Sequence, residues 1–255
     1  MSIPTFKAAS LCLVAMSLAG CATTTPVKEV LANPDVYLSK FSPATLPADV
    51  ASKISKGETP IGFSRMEFQR ELTEVRSDVK TDRAVTAKVV MVNAGNGLIQ
   101  SYEEVSNNLI PFRINYKLSY RGFLHLRWQT VFLNRENSDQ VQEVKALTRL
   151  DSLKPNSAAG TPLEYGMTYG SQIQIANYRD ARDVCNLGET RPASELSAGL
   201  EGQTIDLTCE HFGPNGQVTG KSVHAYLQKY GVAVQRSYTD SNVRNTYVVK
   251  SVKIQ

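Results

Sequence analysis

From residue 112 to 121 the chain alternates without interruption. Phe112, Ile114, Tyr116, Leu118 and Tyr120 are apolar or aromatic, and Arg113, Asn115, Lys117, Ser119 and Arg121 between them are polar. Successive side chains of an extended strand point to opposite faces, so this stretch has one dry side and one wet side. Strands of that kind belong to antiparallel sheets with one face packed. The pattern repeats after Gly122 in Leu124, Leu126, Trp128 and Phe132, and again in Leu163, Tyr165, Met167, Tyr169, Ile173 and Ile175. Further strands are expected near 85–92, 98–105, 141–150, 203–212, 222–229, 232–238 and 245–254. Turn-forming runs separate several of them: 93–97 (NAGNG), 213–216 (GPNG) and Gly231. The expected fold is α+β and mostly antiparallel β: a curved sheet, partial barrel or sandwich with one helix packed on it.

The one long helix is expected from about Ser64 to Lys80. Ser64 and Glu67 have capping-box spacing, and Phe68, Leu72, Val75 and Val79 fall on one helical face. Before it, residues 22–61 hold five prolines and few periodic apolar positions, which reads as a spacer with short helical pieces. Pro47 and Gly57 bracket one such piece. The run 155–162 (PNSAAGTP) is a candidate break within the β-rich domain of residues 62–255.

The first twenty residues carry one positive charge, Lys7, and an apolar run from Ala8 to Leu18. That is the layout of a secretory signal peptide and too short for a spanning helix. Its end, Leu18-Ala19-Gly20-Cys21, resembles the lipobox of bacterial lipoproteins. The resemblance implies cleavage before Cys21, acylation of that cysteine, and a lipid-anchored tether over 21–61. Ala22, which is not Asp, favours the periplasmic face of the outer membrane over the inner membrane. Two or more acyl chains anchor stably, where one binds reversibly.

In such an oxidising compartment the remaining cysteines, Cys185 and Cys209, read as a disulfide. A zinc site from the same pair with His211 and His224 has acceptable ligands, but not the two close pairs usual for structural zinc. No metal or other cofactor is expected. Removal of the leader takes Lys7 and leaves 27 basic against 24 acidic residues. So small an excess, unclustered, is no nucleic-acid footprint.

Catalytic motifs are weak. Residues 215–222 (NGQVTGKS) fall one glycine short of a phosphate loop and sit where a hairpin turn is expected, so no nucleotide partner is inferred. Ser77 and Lys80 match S-x-x-K without the third element of penicillin-recognising enzymes. His125 shares its strand parity with Arg127 and Gln129 and is expected at the surface; His211 shares that of Cys209.

Three functional readings follow, of which an enzyme, with acidic or nucleophilic residues converging from distant strands, is the one no motif supports. The first is a non-catalytic envelope lipoprotein that binds a protein partner or a wall component. The second is a periplasmic carrier of a lipid or other apolar ligand. Its pocket would be lined by Tyr116, Tyr120, Trp128, Tyr165 and Tyr169 on the concave side of a half-barrel.

Overall fold

The computed structural model of the chain describes residues 27–54, 60–78, 83–135, 139–154 and 159–255. Among these residues twelve strands run in chain order: β1 (Arg65–Arg76), β2 (Arg83–Gly95), β3 (Leu98–Asn107), β4 (Ile110–Tyr120), β5 (Leu124–Phe132), β6 (Gln142–Leu150), β7 (Pro162–Ser171), β8 (Arg179–Pro192), β9 (Gln203–Phe212), β10 (Val218–Leu227), β11 (Val232–Asp240) and β12 (Val243–Ile254). Each pairs antiparallel with the next, and β1 pairs with β12, so the meander closes into a barrel. Closure removes the free sheet edges that a partial barrel or sandwich would leave. β6 and β7 pair across the run 155–162, so one sheet spans the expected break.

The segment expected as a long helix is strand β1. Met66, Phe68, Arg70 and Leu72 are buried at every second position, and Glu67, Gln69 and Glu71 between them are not. The helical spacing of Phe68, Leu72 and Val75 used only part of that pattern. β2 and β12 bracket the segment over its full length, and Tyr247 packs beside Leu72. Val79 and Lys80 lie outside the described residues. β8, which carries Cys185, shows no clear alternation of apolar residues and was not anticipated. β7 ends at Ser171, leaving Ile173 and Ile175 outside the sheet.

Residues 27–54 do more than bridge. They form α1 (Val27–Ala32), α2 (Pro34–Leu38) and α3 (Ala48–Ile54), joined by short 3₁₀ turns. Asn33 caps α2, its side-chain oxygen accepting the Val36 amide at 3.2 Å, and Pro34 starts the helix where no amide partner is needed. Val30, Tyr37, Leu38, Phe41, Leu46, Val50 and Ile54 are all buried in the main core. Phe41 stacks on Tyr116 with ring centroids 5.5 Å apart, and the Tyr37 hydroxyl donates to Gln129 Oε1 at 2.7 Å. At about 1.5–3 kcal/mol for each buried large apolar chain, this segment is part of the fold.

The barrel is uneven. Among the described residues β5 and β6 share two register pairs, and β11 and β12 share three, whereas other neighbours pair over seven or more. α3 packs on β6 beside the first of these thin seams, where the Lys53 ammonium donates to the Leu147 carbonyl. In an up-and-down meander, alternate turns lie at one end. The end that holds the β2–β3, β4–β5 and β10–β11 turns is filled. There the β4–β5 turn, with Arg121 and Gly122 at φ 52° and 81°, is pinned to β11 by the Ala233 amide donating to the Arg121 carbonyl at 2.7 Å. Met66, Phe68 and Ile99 close one side of this end, and Tyr165 and Tyr226 lie in the core on the other.

Candidate functional site

Part of the barrel's inner face is polar, from His125 and His224 near the filled end to His211 near the other. Arg70 on β1, Lys117 on β4, His125 on β5, His211 on β9 and His224 on β10 come from strands that are mostly not neighbours. Yet His224 feels the charges of Lys117 and Arg70, and His125 feels Lys117 and both other histidines. Groups so placed can meet only across the space the sheet encloses. Arg70 donates to Glu103, Asn115 Nδ2 donates to the other oxygen of Glu103 at 3.1 Å, and Thr130 Oγ1 donates to Asn115 Oδ1 at 3.1 Å. The Arg70 guanidinium also lies 4.2 Å from the centre of the Tyr247 ring.

Burial raises the Glu103 pKa, but the charges of Arg70 and Lys117 and these hydrogen bonds outweigh it and hold the carboxyl down to about 2. Burial, partly offset by Glu103, brings the Lys117 ammonium down to about 8. Among the described residues Lys117 makes no hydrogen bond or close ion pair, and it remains partly accessible to solvent. It is a cation with an open side.

Next to it stands a chain of four side chains. His211 Nδ1 is 2.8 Å from Asp183 Oδ1, and His211 Nε2 is 2.9 Å from Ser222 Oγ. Ser222 Oγ is also 3.0 Å from His224 Nε2. A carboxylate only accepts, so the Asp183 contact puts the proton on His211 Nδ1. In the neutral ring Nε2 is then a lone-pair acceptor, and the Ser222 hydroxyl donates to it. His224 Nε2–H completes the set by donating to Ser222 Oγ. Burial lowers the His224 pKa to about 3, so the ring stays neutral; its Nδ1 is buried with no hydrogen-bond partner.

The strand register explains the constellation. Cys185 faces Cys209 across β8 and β9, and the two are disulfide-bonded. Two residues away in opposite directions, Asp183 faces His211, and Cys209 faces Ser222 on β10. All five point to the same side of the sheet.

The five aromatic residues expected to line one concave pocket are divided between two faces. A bulge near Leu118 and Leu126 shifts the β4–β5 register. Tyr116 and Tyr120 therefore lie on the outer face, Tyr116 beneath Tyr37 and Phe41, and both are fully buried. Trp128, Tyr165 and Tyr169 lie on the inner face, with Trp128 and Tyr169 in contact at 5.6 Å between centroids. The same bulge separates His125 from Arg127 and Gln129. It faces inward instead of lying at the surface, and burial with Lys117 lowers its pKa well below the usual histidine range. Residues 215–222 form the β9–β10 turn and the start of β10, a hairpin as expected. Cys21 lies outside the described residues.

Three of the connections at the end near His211 expose apolar side chains. Leu109 (87% exposed) and Ile110 sit at the β3–β4 turn, Ile173 and Ile175 (90% exposed) between β7 and β8, and Val218 after the β9–β10 turn. All three connections lie at the same end of the meander. Leu109 has φ 66°, a left-handed conformation unusual for a branched side chain, and it presents that chain to solvent. Leu31, Val36 and Val248 are exposed elsewhere.

A separate groove of about 320 Å³ lies over β6–β9, with Arg149, Glu164, Arg182 and Phe212 in its lining. Three of its charged side chains are paired with one another, Glu164 binding Arg149 at 2.6 Å and Arg182 at 3.4 Å, and Asp180 also lines it.

Neither a family model nor a curated protein matches the chain. A solved structure of a LolA superfamily protein from Nitrosomonas europaea is similar at 9% identity, covering 80% of this chain and 91% of its own, with a TM-score of 0.36. A likeness that slight does not bear on what this chain does.

Proposed function

We propose that the protein is a lipid-anchored envelope protein that holds an amphiphilic ligand, such as a lipid, inside its barrel. One observation carries this reading. The end of the barrel at which His211 and Asp183 on the inner face are reached by solvent is the end where three turns expose apolar side chains. An amphiphile entering there would place a polar head against Lys117, Asn115 and Tyr247, and an apolar portion against Trp128 and Tyr169. Burying its apolar surface supplies the driving force, and the few polar groups set its orientation. The exposed Leu109, Ile110, Ile173 and Ile175 would face the membrane or protein that delivers the ligand. This reading develops the carrier expectation. A protein or wall partner would use the same apolar turns.

The lipobox resemblance supplies the address: acylation at Cys21 and residence at the periplasmic face of the outer membrane. Native mass spectrometry of the full-length protein, extracted in mild detergent without reductant, tests both parts. The expected species carries acyl mass on Cys21 plus one further, non-covalent amphiphile, and Cys21→Ser removes only the former. Protein with its anchor and nothing else, in every preparation, would contradict the ligand-holding role.

A further inference from the structure

Asp183, His211 and Ser222 hold the relative positions of an acid, a base and a hydroxyl nucleophile. We propose that they form a hydrolytic site for carboxylic esters, acting on the ester bond of an amphiphile held in the barrel. The substrate class rests on the ligand-holding role above; the reactivity of Ser222 does not.

Geometry comes first. Contacts of 2.8 and 2.9 Å lie within the range expected of a base bonded to its nucleophile and oriented by a third group. The Asp183 contact fixes the tautomer that this role needs, with the proton on Nδ1 and the lone pair of Nε2 toward the hydroxyl. His224 adds a second constraint. Its Nε2–H, 3.0 Å from Ser222 Oγ, occupies an oxygen lone pair, which leaves the hydroxyl proton directed at His211. Burial gives the His224 ring a low proton affinity, which makes it a poor base.

Charge comes second. Lys117 and Arg70 make their positive charge felt at His224, the residue bonded to the nucleophile. Arg70 is paired with Glu103, so Lys117 is the cation left to favour the negative charge that develops when a carbonyl is attacked. Access comes third. Ser222 is 2% exposed, but His211 and Asp183 beside it are reached by solvent at the open end.

The step balances with water as the second reactant. As Ser222 Oγ bonds to the ester carbonyl carbon, its proton passes to His211 Nε2 and the carbonyl electron pair moves to oxygen. That pair returns as the bond to the alcohol oxygen breaks, and the departing oxygen takes the proton from His211. Water then repeats the sequence on the acyl-serine, giving a carboxylic acid and free Ser222. Ser222 and His211 are the catalytic residues, and Asp183 is a positioning residue.

The test uses full-length, disulfide-bonded protein in mild detergent, with a fluorophosphonate as covalent probe and p-nitrophenyl butyrate as ester. Peptide mapping of the wild-type protein is expected to place a single phosphonyl adduct on Ser222. Ester turnover should vanish in Ser222→Ala and fall about 10²–10⁴-fold in His211→Gln. Asp183→Asn should lower the maximal rate while leaving the half-saturating ester concentration unchanged, a split that general loosening of the fold would not give. The wild-type mapping does not depend on any variant folding. An unlabelled Ser222, or turnover that survives Ser222→Ala, overturns the inference and leaves the four side chains a structural hydrogen-bond chain. A labelled Ser222 in a protein that never carries an amphiphile overturns the substrate class alone. A protein that carries an amphiphile and does not label overturns the hydrolytic site and leaves the ligand-holding role intact.

Discussion

Single residues in the barrel interior set how the protein should respond to pH. His224 and His125 are held neutral in the fold, whereas an unfolded chain binds a proton at each near pH 6.5. Below that pH the unfolded state takes up more protons, so stability falls as pH drops from 6.5 toward 3. Glu103 adds a second loss. Its folded value of about 2 lies below the ordinary 4.5, so its contribution is present above 4.5 and disappears between the two. Urea unfolding at a series of pH values should show a decline that begins near 6.5 and steepens below 4.5. His224→Gln should flatten the first part, and a flat profile in the wild-type protein would contradict the assignment. Gly122 gives a steric prediction at the same scale. A Cβ there would lie 2.6 Å from the Ala233 carbonyl oxygen at φ 81°, whereas Gly216 at φ 72° has open space around it. Gly216→Ala should therefore cost only the left-handed backbone preference, roughly 1–2 kcal/mol. Gly122→Ala should cost measurably more in the same denaturation assay. Part of the site was legible at this scale. Once Cys185 and Cys209 are read as cross-strand partners, antiparallel geometry places Asp183 opposite His211. Ser222 could not be placed that way, because its register depends on the length of the β9–β10 turn.

Among the elements, the strands were legible where alternation is clean and obscured where a bulge interrupts it. β4 reads directly from Ile114 to Tyr120, but the irregular step at Leu126 exchanges faces, sending Trp128 inward and Tyr116 outward. A single inserted residue reverses the orientation of everything beyond it. β1 shows the converse ambiguity, since residues spaced for a helix also satisfied half of a strand pattern. The N-terminal helices were hidden by their prolines. Pro34, Pro43 and Pro47 sit at or just before helical starts, where proline is tolerated, and do not mark an extended spacer. Because Phe41 is fully buried between Tyr37 and Tyr116, Phe41→Ala should destabilise the whole barrel by about 3–5 kcal/mol. Thermal or urea unfolding measures this. A loss below about 1 kcal/mol would mean that residues 27–54 behave as a detachable spacer.

At the scale of the whole molecule, closure was the feature least accessible to sequence reasoning. It rests on β1 meeting β12, the first and last strands of the meander, and no local pattern encodes that pairing. Closure is also what creates an interior with two ends. One is filled by apolar packing; the other has His211 and Asp183 near its mouth and Leu109, Ile110, Ile173 and Ile175 exposed on its turns, with Lys117, Glu103 and His224 deeper between the two. The chain contains a single tryptophan, Trp128, on the inner face. It therefore reports directly on whether an amphiphile enters. The most direct measurement is quenching of Trp128 fluorescence in the full-length protein by a lysophospholipid brominated on its acyl chain, against the unbrominated lipid as control. Saturable quenching specific to the brominated lipid, and weakened by Lys117→Met, is the predicted result. Fluorescence unchanged across the titration, or quenching that rises linearly without saturating, would contradict the account of the barrel interior as a ligand site.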